Sequence, residues 1–183
     1  MELINDREDI DTTAREHIDL LIGNVEELID KKLDFQAFLV ISIGIEFLGA
    51  FTDSFDFNEY GHSESRFTNA IDHWFSNKWY KENKSWIFKN LRGPIIHQYR
   101  PGKEILLTSF CKNQVDITHH LEISEGRTIF VLEQLFADFK KASKNTWLYR
   151  AGTKESCRNA KRPSRSSGSG QWYMDKGKQV ERT

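Results

Sequence analysis

From Phe35 to Phe51 the chain is apolar almost without interruption, and Glu46 is the only charge in the stretch. A segment of this kind must end inside a protein core or inside a membrane. A bilayer needs about 20 consecutive apolar residues, and a carboxylate in the inner half is costly there. The shorter run with its buried acid therefore predicts a core helix surrounded on nearly all sides, and no membrane partner. Everything else must pack around it. With 183 residues, 38% of them hydrophobic and 13% aromatic, there is enough material for one sizeable core. Asp34, just ahead of the run, reads as its N-cap.

On the N-terminal side, Ile10, Ala14, Ile18, Leu21, Val25 and Leu28 recur at steps of four and three, the stripe of an amphipathic helix of about seven turns. Asp6, Glu8 and Asp9 at its start and Lys31 and Lys32 at its end suit the helix dipole. On the other side, Thr52–Ser63 reads as a loop. Asp56, Asn58 and Gly61 superficially resemble a calcium loop, but the twelfth position is Phe67, where a bidentate Glu is required, and calcium is not expected.

Phe67, Ile71, Trp74, Phe75 and Trp79 mark a third helix. A fourth starts near Ser85, runs through Trp86, Ile87, Leu91, Ile95 and Tyr99, and stops before Pro101-Gly102. Gly93-Pro94 lies inside it. Proline lacks the backbone donor and crowds the preceding turn, so the helix either kinks here or restarts with Pro94 at its first position.

Beyond Gly102 the period changes to two. Glu104–Ser109, Ile117–Ile123 and Arg127–Leu132 read as short strands, and Ser124-Glu125-Gly126-Arg127 has the glycine of a tight hairpin. A final helix is carried by Leu135, Phe136, Phe139 and Ala142. Its start is open, because Ile129 and Leu132 fit the same stripe. The expected fold is mainly α: a four-helix bundle with a small C-terminal β-hairpin or meander and a final helix.

The net charge of -1 hides a division. From Lys144 onward ten Lys and Arg face three Asp and Glu, a balance of +7, while residues 1–143 carry sixteen against twenty-four, a balance of -8. The low-complexity run Arg162–Gly170 cannot offset its own ordering entropy. Residues 1–150 are thus expected to form one domain and residues 151–183 a basic disordered tail. Trp147, Tyr149, Trp172 and Tyr173 among the tail's cations suit stacking on single-stranded RNA, and equally a solvated end.

Cys111 and Cys157 are too few for a disulfide framework and read as free thiols. Met1–Asp6 shows no basic region followed by an apolar run, so no signal peptide is expected and the cytoplasm is the expected compartment. His119 and His120 are adjacent in a predicted strand and so point to opposite faces. With His62 and His73 they show no ligand spacing, and no metal or other cofactor is expected.

The remaining chemistry lies in Leu91-Arg92-Gly93-Pro94-Ile95-Ile96-His97-Gln98-Tyr99. Histidine exchanges protons near neutrality, as attack by an RNA 2'-hydroxyl requires, and arginine's planar fork stabilises charge that builds on a phosphate. On a straight helix Arg92 and His97 stand about 140° apart, while Tyr99 returns to within about 20° of Arg92. Their convergence needs the Gly93-Pro94 irregularity or a two-fold dimer that pools two such helices. Arg100 and Lys103 add charge that suits a phosphate ligand and equally a helix C-terminus.

Arginine, four residues, histidine, one residue and tyrosine, placed on a fourth helix, resembles the signature of the HEPN superfamily and in particular its HepT-type toxins. The resemblance covers residues 92–99 in detail and about 6–100 in topology. It implies a metal-independent endoribonuclease, a toxin or defence effector, with Arg92 and His97 catalytic at a homodimer interface and RNA as substrate. It further implies that a nucleotidyltransferase antitoxin modifies Tyr99 with AMP. The acidic body and Gly93-Pro94 motivate a second reading, a non-catalytic module of the same fold used for dimerisation or ligand binding.

Glu46 returns here. A carboxylate removed from water without a partner costs several kcal/mol. Cations near the apolar segments of the helical body are few, so Arg92 is the expected partner, its guanidinium held in place by Glu46.

Overall fold

The computed structural model describes residues 6–57, 59–110 and 119–160. Helix α1 (Asp6–Asp30) precedes the apolar helix α2 (Asp34–Gly49), and α3 (Ser63–Trp74) follows the loop. Next come α4 (Lys78–Ile87), a π-helical turn (Phe88–Arg92) and α5 (Gly93–Gln98). Strands β1 (Ile105–Thr108), β2 (Ile123–Ser124) and β3 (Arg127–Val131) lead into α6 (Leu132–Ala160). The chain is mainly helical with a small sheet, and among the described residues no helix is long and apolar enough to cross a membrane.

The core is organised by α2, as its composition predicts. Phe38, Ile41, Ile45 and Leu48 are buried against Phe67, Ile71 and Trp74 of α3, Ile18 and Val25 of α1, and Phe139 and Ala142 of α6. One side of α2 departs from the expectation. Ile43 is 42% exposed and Leu39 and Val40 are only partly buried, so the helix is not enclosed all round. Asp34 also takes another part than expected. Leu33 occupies the N-cap without a side-chain bond, while Asp34 stands in the first turn and accepts the Ser109 hydroxyl at 2.7 Å. Lys31 and Lys32 fall just past the end of α1, where Lys31 pairs with Glu27 one turn back.

The third and fourth helices divide earlier than the apolar pattern suggested. Phe75 is extended, and the Asn77 side chain accepts the Trp79 amide at 2.9 Å, so Trp79 belongs to α4, which starts at Lys78 and not near Ser85. An N-cap of this type satisfies an otherwise orphaned amide, a local effect that hydrophobic periodicity does not register.

Between α2 and α3, Arg66 holds the loop. Its side chain is buried, pairs with Asp53 at 2.8 Å and donates to the Asp56 and Phe57 carbonyls at 2.7 and 3.1 Å.

The sheet has the order β1-β3-β2, with β1 parallel to β3 and β2 antiparallel to it. The hairpin at Ser124–Arg127 is present, and Glu125 and Gly126 both take positive φ, 49° and 73°, as a two-residue turn of the primed type requires. The parallel β1 excludes the simple meander. Among the described residues the second strand is Ile123–Ser124, and His119 and His120 sit in the turn ahead of it, so the argument that they face opposite sides of a strand does not apply; residues 111–118 lie outside the described part. Helix α6 begins directly after β3, at Leu132, so that Leu132 joins the helical stripe while Ile129 belongs to the strand, and it continues to Ala160, past the domain boundary expected at 150. Residues 161–183 and Cys111 lie outside the described part.

Candidate functional site at the Arg92 turn

Pro94 sets the local geometry. In an unbroken α-helix its nitrogen would donate to the Asn90 carbonyl, but proline has no N–H and its ring crowds that carbonyl. The chain responds with the π turn. The Gly93 amide donates to the Phe88 carbonyl, five residues back, and α5 restarts with Pro94 in its first turn, the restart the sequence left as one of two outcomes. The released Asn90 carbonyl accepts the Gly102 amide at 2.7 Å. Only glycine fits there, since a Cβ on residue 102 would lie 2.9 Å from both the Asn90 carbonyl and its side-chain oxygen. The Pro101-Gly102 segment is thereby folded back onto the turn that carries Arg92.

Arg92 and Glu46 meet as expected. Arg92 Nη2 lies 2.5 Å from Glu46 Oε2, with the side chains 13% and 21% exposed. The approach is off the hydrogen-bonding axis, and Glu46 Oε2 and Arg92 Nε are both buried without a hydrogen-bond partner among the described residues. The guanidinium also stands 5.5 Å from the centre of the Phe88 ring. The result is a cation fixed from two sides with part of its donor capacity unspent.

The other motif residues are not gathered with it. His97 is exposed, and no hydrogen bond joins it to Arg92 among the described residues. Tyr99 is 61% exposed; its ring packs on Phe35 of α2 at 4.7 Å, and Gln36 Nε2 lies 3.4 Å from its hydroxyl. Arg100 is exposed and donates to Gln98 at 3.3 Å. In one copy of the chain, Arg92 faces inward to α2 and His97 faces solvent.

A second polar constellation escaped the sequence reading. The Val131 amide donates to His120 Nδ1 at 2.9 Å, which leaves the ring proton on Nε2. Nε2 lies 2.7 Å from the Tyr80 hydroxyl, which in turn donates to Asp138 at 3.1 Å. Burial holds the His120 pKa down to about 4. Burial and the adjacent Asp138 push Tyr80 well up, and burial raises Asp138 itself. Tyr80 is fully enclosed and His120 and Asp138 are partly buried, and this chain of bonds fastens α4, β3 and α6 together. No local motif announces it, because its members are 40 and 58 residues apart.

The clasp has a consequence for acid stability. His120 is depressed in the folded state from an unfolded value near 6.5, so its contribution is complete above about pH 6.5 and is lost as the pH falls through about 4. The amount is on the order of 3 kcal/mol. Asp138, raised by burial, works in the opposite sense, so the informative quantity is a difference. Urea midpoints measured from pH 4 to 7 are expected to fall more steeply towards acid in the native protein than in His120→Gln. Parallel profiles would show that His120 is not the group responsible.

Comparison of the chain with protein families, curated proteins and solved structures finds no match.

Proposed function

We propose that this chain is a metal-independent endoribonuclease of the HEPN type, a toxin or defence effector that works as a homodimer. The observation that supports it best is the immobilised Arg92 guanidinium, paired with Glu46 and with its Nε unspent, five residues before an exposed histidine. In this reading His97 exchanges the proton of the RNA 2'-hydroxyl and Arg92 stabilises charge on the scissile phosphate. The two groups diverge within one copy, so the reading assigns them to a composite site. The open face of α2 supplies a place for the second copy, because Ile43 stands one turn from Glu46 and leaves apolar surface beside the ion pair. Under the same reading Tyr99 is the residue that a nucleotidyltransferase partner modifies.

The second reading, a non-catalytic module, is favoured by the low exposure of Arg92 and the carboxylate that already neutralises it. Cleavage of total RNA in EDTA by the native protein, Arg92→Ala and His97→Ala decides between them. The ribonuclease is expected to lose about 100-fold or more in each variant. His97 is exposed, so its substitution leaves the fold intact and gives the cleaner result. Equal cleavage by all three proteins, or none by the native protein, would leave the module.

A further inference from the structure

Between α1 and α6 lies an open cleft of about 280 Å³, with Ile29, Phe136 and Ala137 among its walls. One alkylammonium group already sits there. Lys140 Nζ stands 4.4 Å from the centre of the Phe136 ring and 3.3 Å from Glu26 Oε1, so an aromatic face and a carboxylate hold it together. The chain thus shows, with its own side chain, which chemistry this cleft accepts.

Two further carboxylates line the cleft and have no such match, Asp30 from α1 and Glu133 from α6. The last turn of α1 has no basic residue and closes on Asp30, at the end where the helix dipole favours a cation and disfavours an acid. Lys31, just beyond, is taken by Glu27, and Asp30 forms no ion pair among the described residues. Glu133 accepts the Phe110 amide at 3.0 Å through Oε2. Its Oε1 is buried without a hydrogen-bond partner among the described residues, a costly state that a donor entering the cleft would end. The described residues include no group of three carboxylate, histidine or cysteine side chains that could hold a metal ion, so these charges suit an elongated cation and not a compact one.

We propose that the cleft binds an aliphatic polyamine, with one ammonium on Glu133, a second on Asp30, and the methylene chain along Ile29, Phe136 and Ala137. The ammonium supplies the donor that Glu133 Oε1 lacks, and methylenes lie on apolar walls without the cost of burying a polar group. The site uses neither Arg92 nor His97, so it stands apart from the ribonuclease reading. A ligand held between α1 and α6 in the folded chain also stabilises it.

Calorimetric titration of the native protein with spermidine, butylamine and magnesium chloride at constant ionic strength tests the site, with urea midpoints as a second readout. Spermidine is expected to bind one to one and raise the midpoint, and butylamine and magnesium to bind about 10-fold more weakly or less. Glu133→Gln keeps an acceptor for the Phe110 amide but sets a donor where the unfilled oxygen was, and should weaken spermidine about 10-fold. Asp30→Asn, at an exposed position where the fold tolerates it, should weaken it about 3-fold. Lys140→Met keeps the contact with Phe136 and removes the competing charge, so it should tighten binding about 3-fold, which a purely structural lysine would not do. Glu16→Gln, an exposed change on α1 outside the cleft, should bind as the native protein does. Equal affinity in Glu133→Gln and the native protein, or a loss in Glu16→Gln as large as in Asp30→Asn, would assign binding to the diffuse charge of the acidic body and overturn the site. So would magnesium matching spermidine, or no uptake of spermidine. Binding is read without RNA, so failure of the ribonuclease reading would be seen separately, as RNA left uncut by the native protein.

Discussion

Gly49→Ala is expected to leave little folded protein, with a loss above about 4 kcal/mol. A Cβ on residue 49 would lie 1.7 Å from the Arg66 carbonyl oxygen and 2.3 Å from its carbonyl carbon. The obstacle is backbone, so no side-chain rotation removes it. Moving α3 away would strain the Arg66 contacts to Asp53, Asp56 and Phe57 that hold the intervening loop. Two other glycines calibrate the result. Gly44→Ala meets the end of the Phe139 ring at 2.6 Å, and a ring can shift, so a loss of about 1–3 kcal/mol is expected. Gly23→Ala meets nothing within 4 Å on an exposed stretch of α1 and should stabilise by about 0.5–1 kcal/mol. Urea unfolding of the three variants measures the series. A Gly49→Ala protein within 1 kcal/mol of the native one would show that α2 and α3 are not packed as closely as described.

Arg92→Ala is expected to cost about 2–4 kcal/mol, because it leaves the Glu46 carboxylate largely out of water with no partner. The 13% and 21% exposure of the two side chains places the effect somewhat below that of a fully enclosed pair. Replacing both partners with apolar residues of similar volume, Glu46→Leu with Arg92→Met, should recover most of the loss, since the desolvation cost is removed with the charges. The double-mutant cycle then gives a coupling of about 1–3 kcal/mol. The comparison also bears on function. A pair kept only for stability is dispensable in the double variant, whereas a pair kept to aim the guanidinium is not. Losses that simply add in the cycle would mean that Glu46 and Arg92 do not interact in solution.

How much of this could be read from the chain varies by element. Pro94 and Gly102 were legible as punctuation: the first marked the irregularity of the motif helix and the second its end. Their partnership through the Asn90 carbonyl was not, because it depends on the chain's return across the open end of α5. The Glu46–Arg92 pair was within reach of sequence reasoning for a simple cause. A lone acid in an apolar helix needs a cation, and the helical body has few to give. The His120–Tyr80–Asp138 bonds had no such signal, since none of the three residues stands out in its own segment. The turn at His119–His120 was misread as strand because alternation alone does not distinguish a pleat from a turn beside it.

The sequence by itself determined that α2 is the centre of the molecule, that the architecture is mainly helical with a small C-terminal sheet, and that Glu46 requires a partner. These follow from the free energy of removing apolar and charged groups from water, which depends on composition and period more than on exact placement. Only the tertiary structure decided that β1 pairs in parallel with β3, that Ile43 is left uncovered, and that Arg92 turns inward while His97 faces out. Those outcomes are set by the space remaining after the helices have packed and by backbone groups that must find partners across long separations. No local pattern carries that information.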